Sequence, residues 1–339
     1  MRGSTAVFTD SSVRLWDLQF PVARMLLPRT LVAYVHVDNL IAFSKRDRDG
    51  RVDAYLAAYL PDEVVMLFFL GGEVVNAAML TPIGRFPASI GDALRHIRSD
   101  PDRSELCFHE APRELLADMW ATVSAAPLDM GLDPASVDGA FRALMEKRWT
   151  GLLELISNGR VNYLMVQEGR FGGARFADAR PGEPPNATVA RLTHATPPDL
   201  RPVVALKAYA PVGLLPMQAS PAMVAMFRHY LWDVLDLLER EAPGQSVRRA
   251  ERAHNKTLVA GHDVLRHFGL VRGSEVADPI VEPAVLAEAL AAWTRELLTE
   301  FEVSHPLSAP RVVRDAAREH RYALQAVGFF ERLPWRIQW

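Results

Sequence analysis

The stretch Gly151-Leu-Leu-Glu-Leu-Ile-Ser157-Asn158-Gly159-Arg160-Val-Asn-Tyr-Leu-Met-Val-Gln167-Glu168-Gly169-Arg170-Phe-Gly-Gly-Ala-Arg-Phe176 decides how this 339-residue chain folds. Asn158-Gly159 is a strong two-residue hairpin signal, because the tight turn that matches strand twist needs positive φ. Glu168-Gly169 punctuates the chain again. The spacing therefore predicts three short strands, 151–157, 160–167 and 170–176, joined as an antiparallel meander.

About a hundred residues upstream the pattern occurs once more. Gly50 opens Arg51 to Leu60, Pro61-Asp62 turns the chain into Val64 to Leu70, and Gly71-Gly72 turns it into Glu73 to Leu80. Gly50 aligns with Gly151, Gly72 with Gly169 and Ala77 with Ala174. A helical pattern precedes each meander, Val37 to Phe43 in one copy and Val137 to Met145 in the other. Downstream of the first come a helix at Ser89 to Arg98, a strand at Glu105 to His109, and a helix opened by Pro112. The second copy offers Thr188 to His194, a strand at Leu214 to Gln218, and a helix after Ser220-Pro221, with Val203 to Ala210 as an extra strand.

Apolar residues at helical spacing, Met223, Phe227, Tyr230, Leu231, Val234 and Leu238, predict that this last helix packs on its own sheet, as Leu115, Leu116, Met119, Trp120 and Val123 do in the first copy. From Gly244 the signals turn helical, over Ser246 to Phe268, Pro283 to Phe301 and Ser308 to Val327. The expected fold is α+β: an N-terminal arm (1–30), two repeated modules (31–133 and 134–243), each with an antiparallel β-meander and packed helices, and an all-helical C-terminal segment (244–339).

Composition excludes several classes of function. Apolar residues make up 49% and charged residues 23%, so the chain can build an ordinary core. With 38 basic and 41 acidic residues the net charge is −3, which gives no global field for nucleic acid or an anionic membrane. The first residues lack a signal-peptide apolar region, and Val64 to Leu80 is broken by Gly71, Gly72 and Glu73, so a hairpin is expected there instead of a membrane span. A single cysteine, Cys107, suits a reducing compartment, and a cytoplasmic protein is expected.

The glycine-punctuated meander, ending Gly-Gly-Glu-Val-Val-Asn-Ala77 in one copy and Glu-Gly-Arg-Phe-Gly-Gly-Ala174 in the other, resembles the PATAN family, the N-terminal domain of PatA-type bacterial response regulators. The resemblance covers roughly residues 31–125 and 135–240. It implies a non-enzymatic signalling adaptor that works through protein contacts, linked to two-component, motility or pilus systems, with no catalytic residues and no cofactor. The chain departs from it in having no receiver domain, and Asn76 is replaced by Gly173 in the second copy.

Catalytic and metal constellations are sparse. Cys107 and His109 share one strand face, where neighbours seldom form a nucleophile–base pair. His254, His262 and His267 are spaced by eight and five, whereas a helical metal pair needs three or four. Asp47-Arg-Asp-Gly50 lacks the first and last ligands of a calcium loop. Gly169 to Phe176 is followed by no Lys-Ser or Lys-Thr and is no phosphate loop. Arg248, Arg249 and Arg252 form either a docking surface or a solvated face with ordinary ion pairs.

The residues expected to meet a protein partner are the exposed positions at the final turns, Glu73, Asn76, Arg170 and Arg175, together with Arg180 in the proline-rich loop. Gly71, Gly72, Gly169, Gly172 and Gly173 are expected to serve backbone geometry and close packing. A homo-oligomer is compatible with this reading, and nucleic acid is disfavoured as a partner. The alternative is a nucleotide- or nucleic-acid-binding regulator that uses the arginines of the second module.

Overall fold

The structure, a computed structural model, describes residues 14–45, 52–134, 136–180, 182–193, 204–211, 213–273, 276–302 and 308–339. Gly50, Asp47 and part of the proline-rich loop lie outside the described residues. The chain forms two compact units, residues 1–215 without 89–92, and residues 216–339 with 89–92.

In the first unit, ten antiparallel strands are described in two sheets. The six-stranded sheet contains β1 (Arg24–Leu31), β2 (Ala54–Tyr59), β3 (Val64–Leu70), β4 (Glu73–Thr81), β5 (Gly84–Ala88) and β6 (Glu105–Glu110), in the order β1-β6-β2-β3-β4-β5. The four-stranded sheet contains β7 (Gly151–Ser157), β8 (Arg160–Gln167), β9 (Arg170–Arg175) and β10 (Val204–Tyr209), in the order β10-β7-β8-β9. Thus β6-β2-β3-β4 recurs as β10-β7-β8-β9.

Register fixes the repeat residue by residue. Tyr59 pairs with Val64 as Ile156 pairs with Val161, and Phe68 pairs with Asn76 as Met165 pairs with Gly173. Both last hairpins then skip one residue, leaving a bulge at Val75 and at Gly172. Turn chemistry repeats as well. Gly72 N–H donates to Val52 O at 2.9 Å and Gly169 N–H to Trp149 O at 2.8 Å, while the preceding residues, Gly71 and Glu168, donate to Asp53 Oδ1 at 2.6 Å and Thr150 Oγ1 at 2.9 Å. Gly72 and Gly169 have φ of 78° and 74°, and a Cβ on either would lie 2.5 or 2.6 Å from a carbonyl of the preceding helix, so glycine is required.

Two expectations about the repeat are corrected by this register. Gly151 aligns with Ala54, not Gly50, because both sit opposite equivalent residues of the next strand, Val166 and Phe69. The counterpart of β6 is β10, not Leu214–Gln218, which forms no strand: Tyr55 pairs with His109 as Leu152 pairs with Tyr209. Pro216 lies within that segment and Pro211 just before it, and each removes a ladder donor.

Side-chain alternation gives each sheet two buried faces. Tyr55, Tyr59, Met66 and Phe68 from the first sheet join Leu152, Ile156, Val161 and Tyr163 from the second in one core, to which α3 (Arg113–Ser124) adds Leu116, Met119 and Trp120. The two modules therefore share a core. The outer face of the second sheet carries Leu153, Leu155, Leu164 and Leu206 under α4 (Val137–Glu146) and α5 (Pro185–Thr193). In the first copy α1 (Val37–Phe43) is tied to α2 (Ile90–Ser99) through Asp38 and Arg98 at 2.5 Å. The described part of the N-terminal arm is integral to the fold, since β1 pairs with β6 and Leu18 and Phe20 enter the shared core.

In the second unit, α6 (Pro221–Glu241) starts at Ser220, whose side chain accepts from Met223 N–H. Its Phe227, Tyr230, Leu231 and Leu238 pack with α7 (Ser246–Val259), α8 (Pro283–Glu302), α9 (Ala309–Ala316) and α10 (Arg321–Ala326) around the fully buried Trp293. The helix expected to cover the second sheet thus belongs to the helical core, a correction whose reason is that its one apolar stripe, Val224, Phe227, Tyr230, Leu231, Val234 and Leu238, is buried there, and helical spacing does not select the surface that covers it. Val285, in the first turn of α8, is exposed. Among the described residues no helix is long and apolar enough to cross a membrane.

Candidate functional site

The five residues expected to face a partner do not stand alike. Glu73 is exposed and paired with Lys45 at 2.6 Å. Asn76 is 1% exposed and its Oδ1 accepts from Ala77 N–H, so its expected surface role is corrected: it follows the bulge and turns inward. Arg175 is half-buried, held to Asp118 at 2.5 Å. Arg170 and Arg180 are exposed; among the described residues neither guanidinium has an ion pair, and the Arg180 carbonyl accepts from Glu183 N–H at 3.1 Å.

Arg170 lies on β9, the terminal strand of its sheet. In the first copy, β5 covers β4 from Ala77 to Thr81, and Val75 and Asn76 are both 1% exposed. At the equivalent positions β9 shows Gly172 and Gly173 with no strand beyond them among the described residues, and Phe171 beside them is 46% exposed. A Cβ at Gly173 would meet nothing within 4 Å, and at Gly172 only ordinary contacts from 3.5 Å. Close packing therefore does not demand these two glycines; their effect is to leave the strand's backbone edge unshielded.

Next to this edge is a cleft of about 380 Å³, lined by Phe171 of β9, Asp138 and Phe141 of α4, and Pro185, Asn186 and Val189 of α5. Its walls are mainly apolar. Phe141 stands where α4 turns from its buried stripe (Val137, Ala140, Leu144) toward the surface. No local signal in the sequence marks this cleft, because its lining comes from three separate elements, α4, β9 and α5.

A second polar feature lies between the sheets. Arg85 of β5 reaches across to Glu154 of β7 at 2.6 Å, with side chains 3% and 0% exposed. Burial works against the Arg85 charge, and Glu154 together with Tyr209 outweighs it and keeps the guanidinium ionised. Burial, then Glu154, raises the Tyr209 hydroxyl far above its usual range, and burial lowers Lys207. Close by, burial pushes Asp118 up to about 6 even though Arg175 opposes the shift. A carboxylate with no exposed surface cannot touch a substrate, so Arg85–Glu154 is a structural ion pair joining the two copies.

The remaining candidates have equally structural surroundings. Burial pushes the Cys107 thiol up to about 11 and lowers His109, so neither thiolate nor imidazolium is favoured; Cys107 Sγ donates to Ala57 O at 3.7 Å. His267 Nδ1 bonds Ala277 O, and among the described residues no cluster of three His, Cys, Asp or Glu is placed to hold a metal. Arg252 pairs with Glu300 at 2.6 Å and Arg249 lies 4.4 Å over the Phe301 ring, as in an ordinary solvated helix face. Gly71 at φ 57° and Glu168 at φ 50° serve the turns themselves.

Comparison of the chain with protein-family models, with curated proteins and with solved structures finds no match.

Proposed function

We propose that this chain is a non-enzymatic protein-binding adaptor whose second α+β copy captures an extended segment of a partner at β9. The observation that carries this reading is the contrast between β4, paired past its bulge with β5, and β9, which is half-buried at the equivalent Ala174 and Arg175 but is the terminal strand of its sheet, with Phe171 exposed beside an apolar cleft. An added strand satisfies the exposed N–H and C=O groups of a sheet margin, and pockets for alternate side chains confer specificity. The occupant is an extended peptide with one large apolar residue, seated between Phe141, Phe171 and Val189, and an acidic residue near it. Arg170 and Arg180 supply the complementary charge. The PATAN resemblance points the same way, toward bacterial signalling through protein contacts.

The test is selection of random peptides displayed on phage against the purified chain. The expected winners carry Asp or Glu next to a bulky apolar residue. Their affinity is expected to fall about tenfold or more, roughly 1.4 kcal/mol, with Phe171→Asp and with Arg170→Glu. Both side chains are exposed, so folding should be unaffected. Winners whose binding ignores both substitutions, or whose amide-exchange footprint avoids β9, would overturn the reading.

A further inference from the structure

In the helical unit, α9, the single turn Arg318–His320 and α10 follow one another and form, with Trp339, a cleft of about 470 Å³. It is lined by Arg314, Asp315, Arg318, Arg321, Tyr322 and Trp339. We propose that this cleft binds a small phosphate-bearing ligand with a planar ring, a nucleotide by chemical class.

The charge argument is local. Three guanidiniums face a single carboxylate, and that carboxylate is already shared: Asp315 takes Arg314 at 3.1 Å and Arg311 at 3.7 Å. Arg318 forms no ion pair among the described residues, and the Nε of Arg321 is buried with no hydrogen-bond acceptor. That buried donor leaves the outer nitrogens of the guanidinium as the part of Arg321 that can meet a ligand oxygen. The side chains lining the cleft thus carry a net positive charge on a chain whose net charge is −3. Guanidiniums suit phosphate because their planar fork presents paired donors to its oxygens.

The aromatic argument is independent of the charge. Tyr322 is 78% exposed and Trp339 43% exposed, large apolar surfaces left open at the same cleft. The Arg321 guanidinium sits 4.5 Å from the Trp339 ring centroid and 5.4 Å from that of Tyr322, so cation and rings are already organised side by side. Rings presented in this way stack readily on a base, and a cleft of this volume falls within the roughly 300–1,000 Å³ usual for small-molecule sites.

Titration calorimetry on the full chain tests the proposal, with ADP and GDP as probes and inorganic phosphate and adenosine as partial ligands. Either nucleotide is expected to bind at least about tenfold more tightly than phosphate or adenosine, and the affinity should weaken as salt rises. Arg318→Glu, at an exposed position, should reduce nucleotide and phosphate binding alike by about tenfold or more. Tyr322→Ala should weaken the nucleotides and leave phosphate unchanged. Absence of binding by both nucleotides at millimolar concentration, affinities indifferent to Arg318→Glu, or binding of an oligonucleotide without binding of either mononucleotide would each overturn it.

Discussion

The two copies of the four-stranded unit share register, bulge and turn chemistry, yet they differ on their inner faces and at their edges. Facing the shared core, the first copy places Ala57, Met66 and Cys107 where the second places Glu154, Tyr163 and Lys207. At the edges, the first copy has β1 added on one side and β5 on the other, whereas the second has, among the described residues, only isolated one-residue bridges, Leu128 to Ala208 of β10 and Gln19 to Arg160 at the start of β8. These differences are linked. The strand that closes the first copy's edge also delivers Arg85, the counter-ion of the charge buried in the second. On one repeated scaffold the first copy is the closed, apolar half and the second the polar one with a terminal strand at β9.

Breaking that link should give the largest effect. Removing one partner of a buried ion pair leaves the other charge desolvated, so Glu154→Ala or Arg85→Ala should lower unfolding free energy by about 3–5 kcal/mol. The double substitution Arg85→Met with Glu154→Leu should restore most of that loss, because apolar residues of similar size often match a buried pair. Urea unfolding of the two singles and the double measures the coupling. If the losses of the singles simply add, the two copies are not joined through this pair.

A smaller effect comes from Asp118, the carboxylate next to the same interface. Its folded value of about 6 stands above its ordinary 3.8. The folded state therefore binds the proton more tightly than the unfolded chain, and the stability it contributes is present at low pH and lost as pH rises through about 6. Asp118→Asn removes this dependence. Relative to the parent, the variant should gain about 2–3 kcal/mol between about pH 4 and about pH 7, read as the change in the difference between their urea midpoints. A difference flat with pH would mean that Arg175 outweighs burial.

The contrast between the copies also explains what the sequence reveals and what it hides. Turn residues announce themselves locally, so Asn158-Gly159, Glu168-Gly169 and Gly71-Gly72 locate the meanders almost to the residue. Alignment of the copies from glycines alone misleads, because Gly151 needs no positive φ and pairs as Ala54 does. The edge strands β1 and β5 have no turn signature as clear, and burial of Asn76 depends on a bulge that composition does not encode. The long α6 carries the right apolar spacing whichever body it joins, so its period cannot name its partner. Arg170 and Arg180 were legible as exposed charges, but the apolar cleft beside β9 exists only once α4, α5 and β9 are brought together.

The smallest effect tests whether equivalent turns are equally important. Asp53 and Thr150 occupy the same place in the two copies, and each accepts a backbone N–H from the turn between the last two strands, Gly71 at 2.6 Å and Glu168 at 2.9 Å. Asp53 is charged and also holds Arg113 at 2.7 Å, but Arg113 is exposed, so that second contact adds little. Hydrogen bonds to charged groups exceed neutral ones by roughly twofold, so Asp53→Ala should cost about 1–2 kcal/mol and Thr150→Ala about 0.5–1 kcal/mol. Asp53→Asn keeps an acceptor for Gly71 and should fall between the two. Because the Thr150 turn leads into β9, Thr150→Ala should also speed amide exchange along Arg170–Arg175, whereas Asp53→Ala should leave the covered part of β4 protected by β5. Equal exchange in both strands would show that the open edge is no less firmly held than the closed one.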